Sequence, residues 1–307
     1  MAVSDIIIIG GGGAGLTAAL YASRAKLSTL LFEKLTPGGQ IALTDIVENY
    51  PGFPEAITGG EISQRMEEQA KKYGTQLLYE EVKSIHPKNN SFEVRTSNQS
   101  HETKSVILAM GASFRTLAVP GEKELTGKGV SYCATCDGAF FKEKEIIVVG
   151  GGDSAMQEGL FLTRFATKLS VVHRRDKLRA SPILQERAQK NPRINFIWDT
   201  VVEKIEGDKK VQNVKLKNIK NNSVRDFRTD GVFVFVGHDP NSSLVKGLVE
   251  LDEKGYVKTF NTLKTSVRGI FAAGEIRSGA VKQLVSACGE GCEAALEAQA
   301  YLEDLPS

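Results

Sequence analysis

Four branched apolar residues, IIII at 6–9, run straight into GGGGAGLTAAL, where apolar positions recur at helical spacing. An unbroken apolar run predicts a strand buried on both faces, the glycines a tight turn, and the periodic stretch a helix packed back on the strand. The same order returns at 146–160 as IIVVGGGDSAMQEGL. Further strands are expected at STLLF, KLSVV, SVIL and VFVFV, and a helix at CEAALEAQAYL near the end. Strand, glycine turn and helix used twice predict an α/β chain with two Rossmann-like dinucleotide-binding domains. A length of 307 residues agrees, because a single core rarely keeps growing at that size.

Gly10, Gly12 and Gly15 form GxGxxG, with Gly13 and Ala14 between them, while Gly150, Gly152 and Ala155 form GxGxxA around Asp153 and Ser154. The turn must be tight, must carry no side chain where a pyrophosphate approaches, and must end on a helix N-terminus whose free N–H groups favour an anion. At one shared offset from the first glycine stand Glu33, followed by Lys34, in the first repeat and His173, followed by Arg174 and Arg175, in the second. A carboxylate there accepts hydrogen bonds from a ribose 2′-OH, whereas arginines suit a 2′-phosphate that a carboxylate would repel. The first turn therefore fits the adenosine half of FAD or NAD, and the second fits NADPH. Read locally, the arginine pair is also an ordinary solvated strand end; its coincidence with the repeat favours a ligand. Two such sites suggest a flavoprotein in which NADPH delivers hydride and a flavin passes electrons to an acceptor, such as a disulfide, that cannot take hydride.

Charge narrows the field. The 39 basic and 37 acidic residues leave a formal +2, which gives no case for a nucleic-acid partner. The apolar run at 6–9 is far too short for a span or a signal-peptide core, so no membrane and a cytoplasmic location are expected. Four cysteines do not make a disulfide scaffold in a chain this long. Two of them lie in SYCATCDGAF at 131–140, and three readings stand: half a zinc site, a redox pair, or a turn that holds two thiols. Side chains three apart on a turn or helix start lie about 5 to 6 Å apart, close enough to open and close as a disulfide. Zinc would need Cys288 and Cys292 as well, at a spacing poor for a compact module, so no metal is expected; those two read as small, partly buried thiols at a helix start.

CATCDG at 133–138, ahead of a GGGxSA turn and HRRDKLRA, resembles the low-molecular-weight, bacterial-type thioredoxin reductases. The resemblance spans nearly the whole chain: GGQIALTDIVENYPGFPE at 38–55, TSVRGIFAAGEIR at 265–277 and VKQLVSACGEGCEAA from 281 are similar to the family's flavin-lining segments. It implies three-layer ββα domains, with an NADPH domain (115–243) inserted into a discontinuous FAD domain (1–114 and 244–307). The crossings fall near 112–121 and 237–243 and serve as hinges on which the inserted domain rotates.

The family chemistry implies that NADPH reduces FAD, that reduced flavin attacks a Cys133–Cys136 disulfide through Cys136, and that Cys133 then attacks the disulfide of thioredoxin. Thiol exchange runs through a thiolate, so Asp137 is implied as the proton donor and acceptor, although local sequence supports a turn-capping role equally. Gly38, Gly39, Gln40, Thr44, Asn49, Gly111, Gly274, Glu275, Lys282, Gln283 and Leu284 are implied as flavin neighbours, and Arg179 as a third cation at the 2′-phosphate. Three positions depart from the family's usual text: Glu275 for Asp, Met110 for Thr in ATG, and Lys282 for Arg. A homodimer is implied. The rivals are a reductase of the same type serving a glutaredoxin-like or peroxidase partner, and a flavin- or zinc-bound module without turnover. No further CxxC precedes the first turn, which counts against a self-contained peroxiredoxin reductase.

Overall fold

A computed structural model describes residues 3–43, 47, 49–55 and 57–305. Its chain begins β1 (Ser4–Ile9), α1 (Gly13–Arg24), β2 (Thr29–Phe32), α2 (Gly59–Lys72), β3 (Gln76–Leu78), β4 (Val82–Pro87), β5 (Phe92–Thr96), β6 (Ser100–Leu108) and β7 (Ala112–Phe114). The middle runs β8 (Val130–Ser131), α3 (Ala134–Asp137), β9 (Glu145–Val149), α4 (Asp153–Leu162), β10 (Lys168–Val172), α5 (Pro182–Lys190) and β11 (Ile194–Ile197). It continues with β12 (Thr200–Glu206), β13 (Asn213–Asn218), β14 (Val224–Arg228), β15 (Gly231–Val234) and β16 (His238–Pro240), and the end supplies β17 (Ile270–Ala272) and α6 (Leu284–Glu303).

Two compact units result: Met1–Ser113 with Asp239–Ser307, and Phe114–His238. The two crossing strands, β7 and β16, pair with each other. The return to the first unit comes at 238/239, earlier than the expected 243/244. Asn241 and Ser242 already belong to the first unit: the Asn241 N–H donates to Gly111 O at 3.0 Å, its Nδ2 to Met110 O at 2.8 Å, and Ser242 Oγ to Gly255 O at 2.6 Å.

In the first unit β3-β2-β1-β6-β17 run parallel, and β4 and β5 extend β6 as an antiparallel meander. β6 serves both neighbours because it is long: Ser100–Thr103 pair with β5 and Val106–Leu108 with β17. In the second unit the parallel sheet is β11-β10-β9-β15-β8, with a separate antiparallel sheet β12-β13-β14. The apolar runs are explained by this layering. Ile6 and Ile8 face the helix side with Leu16, Ala18 and Ala294, whereas Ile7 and Ile9 face the other side with Phe32, Val94 and Val257. Likewise Ile146 and Val148 pack with Met156 and Leu162, and Ile147 and Val149 with Val202 and Val214. Side chains alternate across a strand, so a sheet covered on both faces needs apolar residues at consecutive positions. Each fully buried isoleucine removes apolar surface worth about 1.5–3 kcal/mol.

Among the described residues no helix is long and apolar enough to cross a membrane.

Candidate functional site

The two glycine turns sit at the carboxyl ends of β1 and β9, each the central strand of its parallel sheet. Gly10 and Gly150 have φ of +104° and +152°, and a Cβ on either would lie 2.4 Å from Ala109 O or 2.5 Å from Phe235 O. Both positions therefore exclude a side chain by conformation and by space. At Gly12 and Gly152, the residues that precede α1 and α4, a Cβ would meet nothing within 4 Å. Each turn thus presents open space at the start of a helix, the setting in which backbone N–H groups hold a pyrophosphate.

Glu33 follows β2 and its carboxylate is tied to the first turn: Oε2 accepts from Gly11 N–H at 2.8 Å and Oε1 from Leu35 N–H at 2.9 Å. Lys34 beside it is exposed. Gly13 and Ala14 open α1; a Cβ on Gly13 would lie 2.4 Å from Leu284 Cδ1, which brings α6 against the turn. Gly38 N–H donates to Gly11 O at 2.7 Å, and a Cβ on Gly39 would stand 3.4 Å from Gly12 Cα, so the 38–39 turn packs on the first glycine turn. Gln40 Nε2 donates to Ala112 O, and Asn49 Nδ2 donates to Gln283 Oε1 at 3.0 Å. Thr44 lies outside the described residues. Gly111 has φ +63° and its carbonyl receives Asn241, as above.

Gly274 also approaches α1, since its Cβ would lie 3.0 Å from Ala14 Cβ. Its N–H donates to Glu290 Oε2 at 2.7 Å, and Arg277 Nε reaches the same oxygen at 2.8 Å, which anchors the 274–277 segment to α6. Glu275 in that segment has a buried Oε2 without a hydrogen-bond partner. Burial raises its pKa, against an opposing pull from the charge of Lys282. An orphaned, desolvated acceptor one residue from Gly274 suits a polyhydroxyl ligand that donates to it. Together with the open turn and Glu33, the residues of the first unit fit FAD.

In the second unit the residue beneath the turn is His173. It is 5% exposed, and a Cβ on Gly151 would fall 2.3 Å from its Cε1. Burial lowers its pKa, a backbone bond at Lys177 opposes that, and the charges of Arg179, Arg175 and Arg174 lower it further. Its Nε2 is buried without a partner. Arg174, Arg175 and Arg179 are exposed, and the Arg179 N–H donates to Gly151 O at 2.7 Å, which places three cations around the second turn. Asp153 Oδ1 accepts from Ser181 N–H at 2.6 Å; Ser154 is exposed and Ala155 buried. A cationic rim beside an open helix start fits a nucleotide with a 2′-phosphate.

Cys133 and Cys136 form a disulfide, with Cα atoms 5.3 Å apart. β8 delivers them from the edge of the parallel sheet, and Cys133 is the N-cap of the single turn α3. The Cys136 N–H donates to Cys133 Sγ at 3.2 Å and Thr135 Oγ1 lies 3.5 Å from the same sulfur. Among the described residues no group of His, Cys, Asp and Glu could hold a metal ion. Asp137 makes no side-chain cap on the 3-10 turn Gly138–Phe141; its Oδ2 accepts instead from Ser131 Oγ at 2.5 Å. Cys288 is buried beside the first turn, its Sγ 3.8 Å from Gly13 O, while Cys292 is half-buried. Burial first, and then a bond with Cys288, push the Tyr50 hydroxyl up to about 12.

Sequence reasoning passed over two buried polar groups, one bonded to Cys133 and the other to Tyr132. Ser131 is a buried polar residue, whose only sequence signal is a hydroxyl at the end of a strand two positions before the first cysteine. Glu122 is 3% exposed, and its carboxylate collects the N–H groups of Leu117 and Ala118, both at 2.8 Å, and the Tyr132 hydroxyl at 2.9 Å. Its signal is fainter, a carboxylate in an apparently ordinary loop.

Compared with known proteins, the chain matches the pyridine nucleotide-disulphide oxidoreductase family over residues 4–291. It is 50% identical over 304 residues to the thioredoxin reductase of Bacillus subtilis, covering 99% of this chain and 96% of that one. It is 47% identical over 309 residues to the thioredoxin reductase of Peptoclostridium litorale, covering 99% and 98%. Among solved structures, thioredoxin reductase from Streptococcus pyogenes superposes with a TM-score of 0.94 at 46% identity, covering 99% of each chain. The thioredoxin reductase of Lactococcus lactis in its FR conformation superposes with a TM-score of 0.69 at 45% identity, covering 98% and 100%.

Proposed function

Because the chain belongs to the pyridine nucleotide-disulphide oxidoreductases and, among them, to the thioredoxin reductases, we propose that its two units divide the work of carrying electrons from NADPH to thioredoxin. The first unit holds FAD and the second holds NADPH together with the redox-active pair. When bound, FAD supplies the two-electron relay between a hydride donor and a disulfide.

The chain's own residues bind, orient and exchange. Gly10, Gly12, Gly13, Ala14 and Gly15 would offer the flavin's pyrophosphate a bare helix start, and Glu33 and Lys34 would hold its ribose. Gly38, Gly39, Gln40, Asn49, Gly111, Gly274, Glu275, Lys282, Gln283 and Leu284 would hold the rest of the cofactor. Gly150, Gly152, Asp153, Ser154 and Ala155 receive the NADPH pyrophosphate, and His173, Arg174, Arg175 and Arg179 its 2′-phosphate end.

With FAD bound, Cys136 would be the sulfur through which the pair is reduced, and Cys133 is the thiol that attacks thioredoxin. A Cys133 thiolate displaces one sulfur of the thioredoxin disulfide and forms a mixed disulfide. Cys136 then attacks Cys133 Sγ, restores the Cys133–Cys136 bond and releases the second thioredoxin thiol. Asp137 takes up and returns the protons of these steps. Turnover also requires the inserted unit to turn on its two crossings, a motion that two separate chain crossings permit. The protein works as a homodimer in the cytoplasm, where a thiol partner is kept cycling.

One observation carries this reading: the Cys133–Cys136 disulfide leaves the same parallel sheet that carries the second glycine turn and its arginines. NADPH added anaerobically to the yellow protein is expected to bleach the flavin absorbance, and the enzyme to reduce insulin through thioredoxin. Cys136→Ser is expected to abolish thioredoxin reduction. Thioredoxin reduction that survives in this variant overturns the assignment of the pair.

A further inference from the structure

Ser131 joins the two groups that thiol exchange needs. Its Oγ accepts from the Cys133 N–H at 3.1 Å, lies 2.5 Å from Asp137 Oδ2 and 3.2 Å from the Cys133 carbonyl oxygen. A hydroxyl has one proton to give and two lone pairs to fill. Of the two acceptors within reach, the carboxylate is closer and, when ionised, the stronger, so the proton points at Asp137 and the Cys133 amide occupies a lone pair. At 4% exposure Ser131 is largely sealed from water that could take over either bond.

The surrounding backbone fixes this hydroxyl in place. Ser131 is the last residue of β8 and pairs with Phe233 of β15, whose ring is fully buried. The Asp137 N–H donates to Cys133 O at 3.2 Å, closing a small ring of bonds through Ser131, Cys133 and Asp137. The side chain of Asp137 is thereby drawn back toward the strand end rather than onto the turn that follows it.

We propose that Ser131 is a positioning residue for thiol–disulfide exchange, holding the Asp137 carboxylate in its ionised, proton-accepting form beside the peptide of Cys133. The inference rests on the reading of Asp137 as the proton-handling group. When the Cys133 thiol attacks, its S–H bond breaks and Asp137 takes the proton. The Cys133 sulfur bonds to one thioredoxin sulfur, the thioredoxin S–S bond breaks, and the departing thiolate receives the proton back. Attack by the Cys136 thiol repeats the exchange: the pair is reoxidised and thioredoxin leaves with two electrons and two protons. A hydrogen bond donated to a carboxylate favours its charged form, so loss of the Ser131 hydroxyl makes Asp137 keep its proton to higher pH.

The test is thioredoxin-linked turnover from pH 5 to 9 for the FAD-loaded wild type, Ser131→Ala, Ser131→Thr and Asp137→Asn, with flavin content and thermal midpoint as folding controls. For Ser131→Ala the acidic limb of the profile is expected to move up by about one to two pH units, the size of one hydrogen bond to a charged acceptor. Ser131→Thr, which keeps the hydroxyl, is expected to return the limb toward its wild-type position. A Ser131→Ala profile that is only scaled down, with its limb unmoved while Asp137→Asn loses turnover, overturns the proposal and leaves Ser131 a packing residue. Full turnover in Asp137→Asn instead overturns the assignment of Asp137, and the proposal with it.

Discussion

The two glycine turns are built on one frame and closed by different residues. Each follows a central parallel strand, each begins with a positive-φ glycine pressed against a carbonyl, and each leaves its third position open. The difference lies beneath and behind. Under the first turn a carboxylate grips Gly11 N–H, and a Cβ on Gly15 would lie 1.8 Å from Gly10 O. Under the second turn a buried imidazole fills the space, and Ala155 is accommodated where the first turn demands glycine. Fold-level geometry therefore repeats, while the residue after the second strand and the closeness of the helix to the turn differ, and on the proposed reading these differences set which nucleotide each turn takes.

The sharpest way to break the likeness is Gly15→Ala. With a carbonyl at 1.8 Å the helix must move, at a cost of about 3 kcal/mol or more, and FAD content on purification is expected to collapse. Replacing both Arg174 and Arg175 by alanine is the next largest change. Each charge-assisted bond lost is worth about 1.5–3 kcal/mol, so the ratio of kcat/KM for NADPH to that for NADH is expected to fall by at least about a hundredfold. The reverse of the first substitution, Ala155→Gly, is expected to cost only about 1 kcal/mol in urea unfolding, the propensity penalty of glycine in a helix.

Two smaller effects follow from the buried titrating groups. His173 has a depressed pKa in the folded state, so stability is fully present above about 6.5, where both states are neutral, and is lost as pH falls and the unfolded chain takes a proton. His173→Asn is expected to flatten that slope between pH 7 and 5 in chemical denaturation. Glu275 runs the other way. Its folded pKa is raised, so it costs nothing below the ordinary glutamate range of about 4.3 and costs stability as pH rises through the raised value. In flavin-free protein Glu275→Gln is expected to lift the thermal midpoint at pH 8 and to leave it unchanged at pH 4.

Much of this was legible in the sequence, for a physical reason. IIII and IIVV face covered layers on both sides, so their strands appear as unbroken apolar runs, and steric demands write Gly10 and Gly150 into the turns directly. The CxxC spacing was plain in the sequence but left three readings standing, and only CATCDG together with HRRDKLRA pointed to a redox pair. The fifth strand of each sheet was hidden, because β8 and β17 are short and take their places through long-range pairing with Val232, Phe233 and Val106–Leu108. The pairing pattern of the antiparallel layer β12-β13-β14 is likewise a property of contacts rather than of local runs. Ser131 and Glu122 were invisible for a related reason: a buried hydroxyl or carboxylate is identified by the partners that satisfy it, and those partners are set by the fold.

The pairing of β7 with β16, continued by the bond from Arg115 N–H to Gly237 O at 3.0 Å, has a further consequence. The chain departs and comes back across neighbouring positions, so the whole stretch from Phe114 to His238 enters and leaves the first unit through one paired neck. Such a cassette can be lengthened, replaced or excised at its neck without re-registering a single host strand, which offers a lineage an economical way to exchange electron acceptors while keeping its flavin scaffold.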